Sequence, residues 1–319
     1  MPRRAFISLI LKVSGNVNAD IGIGIRVPIK KIITWDRKVK AFVSARCIRR
    51  AIRKRLYEKG FKIDPLVVEE QLTDVGNPFE YIDDDLFGYL YPKETKPRIG
   101  PIKLSPLISL RHTEVKVEFA ARFPRSFVSG APEEYPVPFE VEVAEWVGKM
   151  NVIVSDRIGV IKKDRELKKS VLDAYSKKKY SDIVESDKDG FIYLKKDVRK
   201  KRLLAFLEVL LREGWEFPRG SQSPNVPEYY YAIIATTDRF APISGFVDIT
   251  DNNELDESLI ERAVSLYGDV LDSLIVLYYR ENKYKWYQKA ENKLLLSKEG
   301  NLSEKIVEIL NSIVEYIVY

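Results

Sequence analysis

The chain has 319 residues, and its 53 Lys and Arg against 47 Asp and Glu give a formal net charge of +6. Its single cysteine, Cys47, and single histidine, His112, exclude an intramolecular disulfide, a cysteine-based zinc site and a three-histidine metal site. No run approaches 18 apolar residues, so we expect no membrane-spanning helix and no membrane partner.

The N-terminal segment is basic at Arg3 and Arg4 and apolar over residues 5–13. The apolar stretch is short, contains Ser8 and Lys12, and has no small-x-small cleavage site, which argues against a signal peptide. We interpret it as a buried β-strand and expect a cytoplasmic protein. Scarce Gln, Met, Cys and His beside 31% charged residues is typical of a thermophile.

The segment from Ser44 to Gly60 is the clearest helix in the sequence. Ser44 suits the N-cap, and Gly60 suits the residue after the C-cap. The apolar face consists of Ala45, Ile48, Ile52 and Leu56. A separate basic face consists of Arg46, Arg49, Arg50 and Arg53, with Tyr57 beside them. No acidic residue of the helix balances this basic face before Glu58.

Arginines at this spacing can contact successive phosphates, so the basic face is our candidate for nucleic-acid binding. Other basic residues extend the candidate track: Lys30, Lys31, Arg37 and Lys38 in the irregular stretch 27–40, and residues 199–202. The alternative is an ordinary solvated helix face. Because a net charge of +6 is modest, the electrostatic case depends on local clustering.

Several other residues have both a functional and a structural interpretation. The loop residues Arg219, Gly220, Ser221 and Gln222 could approach a ligand closely, or form a plain connection.

Asp36 could hold a divalent metal and promote RNA cleavage, but pairing with Arg37 or Lys38 is the simpler expectation. His112 could be a general acid–base, although a lone histidine at a strand end is more often structural. The triplet Asp83, Asp84 and Asp85 could bind a cation; we expect a surface acidic turn instead.

Strands and helices alternate along the rest of the chain. We predict strands at 103–111, 115–119, 139–143, 151–161, 229–235, 274–279 and 284–287, helices at 162–179, 197–214, 255–270 and from Ser303 onward, and loops over 123–139, 182–190 and 218–227. The order predicts an α+β fold with a ferredoxin-like (RRM-type) core. Such a core needs about 90 residues. We therefore expect one domain with a finger-like insertion at 61–100, a further insertion at 120–195, a loop at 216–228 and a C-terminal helical extension at 255–319.

Several motifs occur in an order that resembles a known family. The first strand is followed by Ser14-Gly15-Asn16-Val17-Asn18. The helix that carries the basic face begins within Phe42-Val43-Ser44-Ala45-Arg46-Cys47. Later motifs are Asp84-Asp85-Leu86-Phe87-Gly88, residues 101–110 and Asp156-Arg157-Ile158-Gly159-Val160. Over roughly residues 5–245 the chain resembles the DevR-like branch of the Cas-seven family within the RAMP superfamily, the backbone subunits of type I CRISPR Cascade complexes.

The resemblance implies an RRM-like palm with inserted finger and thumb elements. It implies that several copies assemble head-to-tail in a helical filament along one CRISPR RNA, beside other Cascade subunits. The protein would support pairing of the guide with target DNA without reading its sequence. We therefore expect an antiviral RNA-binding subunit that is not an enzyme and needs no cofactor or metal.

Two catalytic alternatives belong to the same superfamily. The related backbone subunits of type III complexes cleave RNA with an Asp in the loop after the first strand, and Asp36 lies in the corresponding region. A metal-dependent endoribonuclease is therefore the first alternative. A metal-free RNA-processing enzyme that uses His112 is the second.

Overall fold

The computed structural model describes residues 2–22, 24–68, 71–130, 135–218 and 225–319. The strands are β1 Arg4–Gly15, β2 Arg26–Val27, β3 Lys31–Ile33, β4 Val39–Val43, β5 Val67–Val68, β6 Leu72–Thr73, β7 Gly88–Tyr91, β8 Lys96–Ile99, β9 Ile102–Leu104, β10 Leu107–Ser109, β11 Lys116–Arg122, β12 Val137–Ser155, β13 Val160–Lys162, β14 Val184–Lys188, β15 Phe191–Leu194, β16 Glu228–Thr237, β17 Ser273–Tyr278, β18 Lys283–Ala290 and β19 Lys293–Asn301. The helices are α1 Ala45–Glu58, α2 Ile82–Phe87, α3 Lys163–Glu166, α4 Lys169–Ser176, α5 Lys196–Glu208, α6 Glu257–Tyr267 and α7 Leu302–Ile317. A π-helical turn, Val209–Glu213, continues α5, and short 3₁₀ turns occupy Pro92–Glu94 and Ile243–Phe246.

A large, mainly antiparallel sheet organises the chain, in the order β19-β18-β17-β16-β1-β12-β10-β4-β3. The central strand β1 pairs antiparallel with both β12 and β16, so that Arg4 lies opposite Ser155 on one side and Thr237 on the other. Smaller sheets join β13, β15 and β14, then β5 with β6, and β7 with β8. This mixed α/β architecture confirms the fold class at its coarse level.

Helices cover both faces of the sheet, and β1 contributes side chains to both layers. Leu9 and Leu11 pack with α1, α5 and α7 in the larger core, whereas Ile10 packs with α6 on the opposite face. A strand that is buried on both faces has a continuous apolar sequence, which explains why β1 is recognisable from composition. Within the described ranges, no helix has the length and apolar character needed to cross a bilayer.

The caps of α1 agree with the prediction. The Ser44 hydroxyl accepts the backbone N–H of Cys47 at 3.2 Å. At the other end Gly60 has φ +86°, its N–H donates to the Tyr57 carbonyl, and the N–H of Phe61 donates to the Leu56 carbonyl. These two bonds form a Schellman motif, which requires the left-handed conformation that glycine adopts without strain.

Several predicted boundaries are wrong. β12 is one strand of 19 residues, whereas the sequence predicted two strands separated at 144–150. The predicted loop at 182–190 contains β14, and the predicted helix at 162–179 is the two short helices α3 and α4. β19 was not predicted; it pairs with β18 at the edge of the main sheet. For β12, pairing with the distant strand β1 determines the structure more than local composition does.

The acidic triplet also departs from the prediction. Asp83, Asp84 and Asp85 lie in α2 and are 3%, 1% and 0% exposed, so they do not form a surface turn. Asp85 accepts hydrogen bonds from Arg98 at 2.6 Å and from Arg202 at 2.7 Å. Opposite charges within this buried network offset the cost of removing them from water.

Candidate nucleic-acid interface

The basic face of α1 divides into an exposed part and a partly buried part. Arg46 and Arg50 are exposed, whereas Arg49 and Arg53 are half-buried. The structure therefore brings all four predicted arginines to one helix face, but in different environments.

Arg53 has an acidic partner that the sequence analysis missed. Its Nε donates to Asp83 Oδ2 at 2.8 Å, and the Asp83 side chain is 4% exposed. Burial raises the pKa of Asp83, but Arg53 and the backbone N–H of Asp64 both favour the ionised carboxylate. The expectation that the basic face is unopposed is therefore wrong at Arg53, because its partner comes from the helix that was expected to be a surface turn.

Arg49 is the most unusual of the four. Its guanidinium lies 5.7 Å from the centre of the Phe87 ring, and its Nε is buried without a hydrogen-bond partner in the described chain. Burial lowers the pKa of Arg49, and the charges of Arg53 and Arg46 lower it further. A partly desolvated cation beside two like charges is unfavourable unless an anion compensates for it.

The remaining cations of α1 are paired. Arg55 contacts Glu58 and Glu213, Lys59 contacts Glu208 and Glu213, and Lys54 lies 3.8 Å from Glu216. Among the residues that the structure describes, Arg46, Arg49 and Arg50 have no carboxylate partner. The uncompensated positive charge is thus confined to the first two turns of α1.

The predicted basic stretch before α1 is largely a hairpin formed by β3 and β4. Lys31 Nζ contacts Glu142 Oε2 at 2.6 Å, and Lys38 Nζ contacts Asp36 Oδ2 at 3.2 Å. Lys30 and Arg37 have no ion pair within the described ranges, and Arg37 occupies the tip with φ +59°. Trp35, which is 97% exposed, lies at the same tip. The hairpin therefore offers free cations and one aromatic ring, but its charge is partly neutralised.

Asp36 pairs with a neighbouring cation, as the simpler expectation from the sequence had it. Its Oδ1 accepts the Thr34 hydroxyl at 2.5 Å, and this bond, together with Lys38, holds the pKa of Asp36 at about 2. The three acidic side chains that converge within the described chain are Asp64, Asp74 and Asp84, not Asp36. His112 is exposed in the segment after β10.

Arg219, Gly220, Ser221 and Gln222 lie outside the described residues. The preceding residue, Pro218, lies beside the first turn of α1, where its carbonyl is 3.7 Å from Cys47 Sγ. The N–H of Phe217 donates to the Asn225 carbonyl at 2.8 Å, so the two ends of this segment are close together.

The predicted extension of the track at 199–202 is not a free basic surface. Arg199 donates to the carbonyls of Ile158 and Asp156, and Arg202 is buried against Asp85. Lys200 contacts Glu315. Lys201 is exposed and lies 5.8 Å from the centre of the Phe61 ring. Arg199 and Arg202 thus bind acceptors within the fold, which no local pattern reveals.

Phe87 is a site residue that the sequence analysis missed. It is buried, packs edge-on against Phe206, and lies beneath the guanidinium groups of Arg49 and Arg53. Because the ring face carries partial negative charge, it stabilises the two cations without neutralising them. The signal in the sequence was its place two residues after the acidic triplet, within the motif Asp84-Asp85-Leu86-Phe87-Gly88.

The chain is similar to several known proteins. The sequence pattern of the family described as "CRISPR-associated negative auto-regulator DevR/Csa2" matches residues 37–256. One solved chain titled "CRISPR RNA-guided surveillance complex" is 14% identical with a TM-score of 0.46, and the alignment covers 82% of each chain. A second, titled "CRISPR RNA-guided surveillance complex, pre-nicking", is 13% identical with a TM-score of 0.49 over 82% of this chain and 87% of that one. No curated protein sequence matches. Because the family pattern covers most of the chain, it confirms the resemblance found in the sequence: the protein belongs to the CRISPR-associated DevR/Csa2 family.

Proposed function

We propose that this protein is a CRISPR RNA-binding backbone subunit of a type I Cascade surveillance complex, and that it binds the RNA backbone with the first two turns of α1. The observation that carries the proposal is Arg49, a partly buried cation between Arg46 and Arg53 with no carboxylate partner in the described chain. An RNA phosphate would supply the missing negative charge, and Arg46 and Arg50 would contact the same strand.

The other proposed RNA contacts are Ser44, the basic residues of the β3–β4 region and the segment after Pro218. The hydroxyl oxygen of Ser44 accepts the cap hydrogen bond, and its O–H can donate to a phosphate. Lys30, Lys31, Arg37 and Lys38 would supply weaker contacts, because two of them share their charge with Glu142 and Asp36. We also propose contacts from Arg219, Gly220, Ser221 and Gln222, because the residue before them, Pro218, contacts Cys47 in α1.

We also propose that β16, β1, β12 and β10, with α1 and α5, form a ferredoxin-like palm. Their spatial order and antiparallel pairing are those of a βαββαβ unit. The remaining elements would then be insertions and extensions, including the finger-like region at 61–100.

Self-assembly along the RNA is supported by an arm that β11 forms with the first part of β12. This part of β12 pairs with β11 over Lys116–Arg122, and its residues Glu140 and Val141 also pair with β2. The arm exposes apolar side chains that the described chain does not cover: Val117, Phe119, Phe123, Phe127, Tyr135 and Val137. Apolar surface of this extent favours a protein partner, and we propose the next copy of the chain in a head-to-tail filament.

We propose a holding role without catalysis, because Asp36 is paired with Thr34 and Lys38. RNA that remains intact with Mg²⁺ would agree with this role.

The test is co-purification of RNA from cells that express a CRISPR array. The wild-type protein should retain short CRISPR RNAs, and the triple variant Arg46→Gln, Arg49→Gln, Arg50→Gln should lose most of them. Lys54→Gln is the matched control, since Lys54 lies on the same helix but faces Glu216. Equal RNA recovery from the triple variant and the control would contradict the proposal.

A further inference from the structure

A second basic cleft lies where the two ends of the described chain meet. Arg3 precedes β1, Arg157 follows β12 and Arg199 belongs to α5, and all three line one cavity of about 420 Å³. Buried Val160 and Ile317 form part of its wall, and Tyr193 and Tyr319 also line it. Helix α1 contributes no lining residue, so this cleft is separate from the proposed RNA-binding face.

The charge of the cleft is incompletely compensated. The guanidinium of Arg199 donates to the backbone carbonyls of Ile158 and Asp156, and that of Arg3 donates to the Tyr316 carbonyl. Carbonyls satisfy N–H groups but do not neutralise a full charge. Asp156 is the one acidic residue among the described residues that line the cleft.

Arg157 adds to this imbalance. One of its terminal nitrogens donates to Glu166 at 2.5 Å, but that carboxylate also binds Arg98, and Arg157 Nε is buried without a described hydrogen-bond partner. Burial lowers the pKa of Arg199, and the charges of Asp85 and Asp156 act in the opposite direction.

The aromatic residues add a second recognition element. Tyr319 remains 83% exposed although Arg3 lies 4.0 Å and Lys196 lies 5.4 Å from its ring centre. A cavity of this size with converging cations, an apolar wall and an open aromatic ring matches a ligand that carries both a phosphate and a base.

We propose that this cleft binds a nucleoside phosphate, with the phosphate on Arg3, Arg157 and Arg199 and the base against Tyr193 or Tyr319. The same chemistry occurs in a free nucleotide and at a phosphorylated end of RNA. The proposal does not depend on the RNA-binding role of α1.

Isothermal titration calorimetry on RNA-free protein tests the proposal with AMP, adenosine and inorganic phosphate as ligands. AMP should bind at least about tenfold more tightly than adenosine, because the charged contacts require the phosphate. Arg3→Gln and Arg199→Gln should weaken AMP binding by a similar factor. Tyr319→Ala, which alters an exposed residue, should weaken AMP binding while leaving that of phosphate unchanged. Lys54→Gln, at an exposed position outside the cleft, should leave both unchanged.

A short single-stranded RNA with or without a 5′ phosphate distinguishes the two sources. A preference for the phosphorylated RNA that Arg3→Gln removes would identify the ligand as an RNA end. Tight AMP binding without such a preference would identify it as a free nucleotide, and both results support the proposal. Equal affinity for AMP and adenosine, or AMP binding that Tyr319→Ala and Arg3→Gln leave intact, would overturn it. Circular dichroism and thermal unfolding of each variant would show that the fold is retained.

Discussion

Arg53 Nε donates to Asp83 Oδ2 at 2.8 Å, and this contact joins the basic face of α1 to the acidic helix α2. Asp83 is almost fully buried, whereas the neighbouring Arg50 is exposed. Two arginines that are equivalent in the helix pattern therefore have different environments: Arg53 pairs with a buried carboxylate, and Arg50 has no carboxylate partner in the described chain.

Replacing Arg53 should therefore reduce stability more than replacing Arg50. Arg53→Ala leaves a buried carboxylate without its cation, and we expect a loss of about 2–4 kcal/mol in the free energy of unfolding. Arg50→Ala should change it by less than about 0.5 kcal/mol. Urea denaturation followed by circular dichroism measures both. Similar losses in the two variants would contradict this difference in environment.

The buried acid Asp84 should make stability depend on pH. Burial, with the charges of Asp64 and Asp83, raises the pKa of Asp84 to about 9, whereas an unfolded chain has an Asp pKa of about 3.9. The folded state therefore holds a proton that the unfolded state releases, so this contribution is complete below about pH 4 and is lost as the pH rises towards 9.

Asp84→Asn removes that titration while keeping a donor for Asp64. We expect its stability relative to wild type to increase between pH 5 and pH 8, by at most about 1.4 kcal/mol per pH unit. Asp251→Asn, at an exposed position, is the control and should show no such trend. Urea denaturation at a series of pH values measures the difference; a constant difference would show that Asp84 is ionised in the folded protein.

The turn from α2 into β7 requires glycine at position 88. Gly88 has φ +75°, and a Cβ there would lie 2.1 Å from the Arg98 carbonyl oxygen and 2.5 Å from the Gly100 nitrogen. Gly88→Ala should therefore cost at least about 2 kcal/mol. Gly245→Ala is the control, because a Cβ there meets no atom within 4 Å. Thermal unfolding should show a Tm several degrees lower for the first variant alone; equal Tm values would contradict this packing.

The exposed arm should control self-association. Replacing Phe119 and Phe127 with serine removes apolar surface that the described chain does not cover, so the monomer should remain stable while RNA-dependent multimers are lost. Analytical ultracentrifugation with and without RNA measures this, and Leu266→Ser, at an exposed position on α6, provides the control. Multimers that persist in the double variant but disappear in the control would place the interface elsewhere.

The sequence alone predicts the elements that local patterns determine. The strand at β1, both ends of α1 and the buried stripe of α7 follow from composition, caps and periodicity. It could not predict the burial of Asp85, because its partner Arg202 lies 117 residues away in the sequence. The difference between the exposed and the partly buried arginines of the basic face was unpredictable for the same reason. It depends on Asp83 and Phe87, which belong to α2.

The proposed binding of RNA phosphates by Arg46, Arg49 and Arg50 can be measured through the salt dependence of affinity for single-stranded CRISPR RNA. The comparison is between wild type and the triple glutamine variant. The slope of log K against log salt is negative, and each lost phosphate contact should reduce its magnitude by about 0.7. The triple variant should therefore bind more weakly, with a slope shallower by about 2. An unchanged affinity and slope in a correctly folded triple variant would show that these arginines do not bind the RNA backbone.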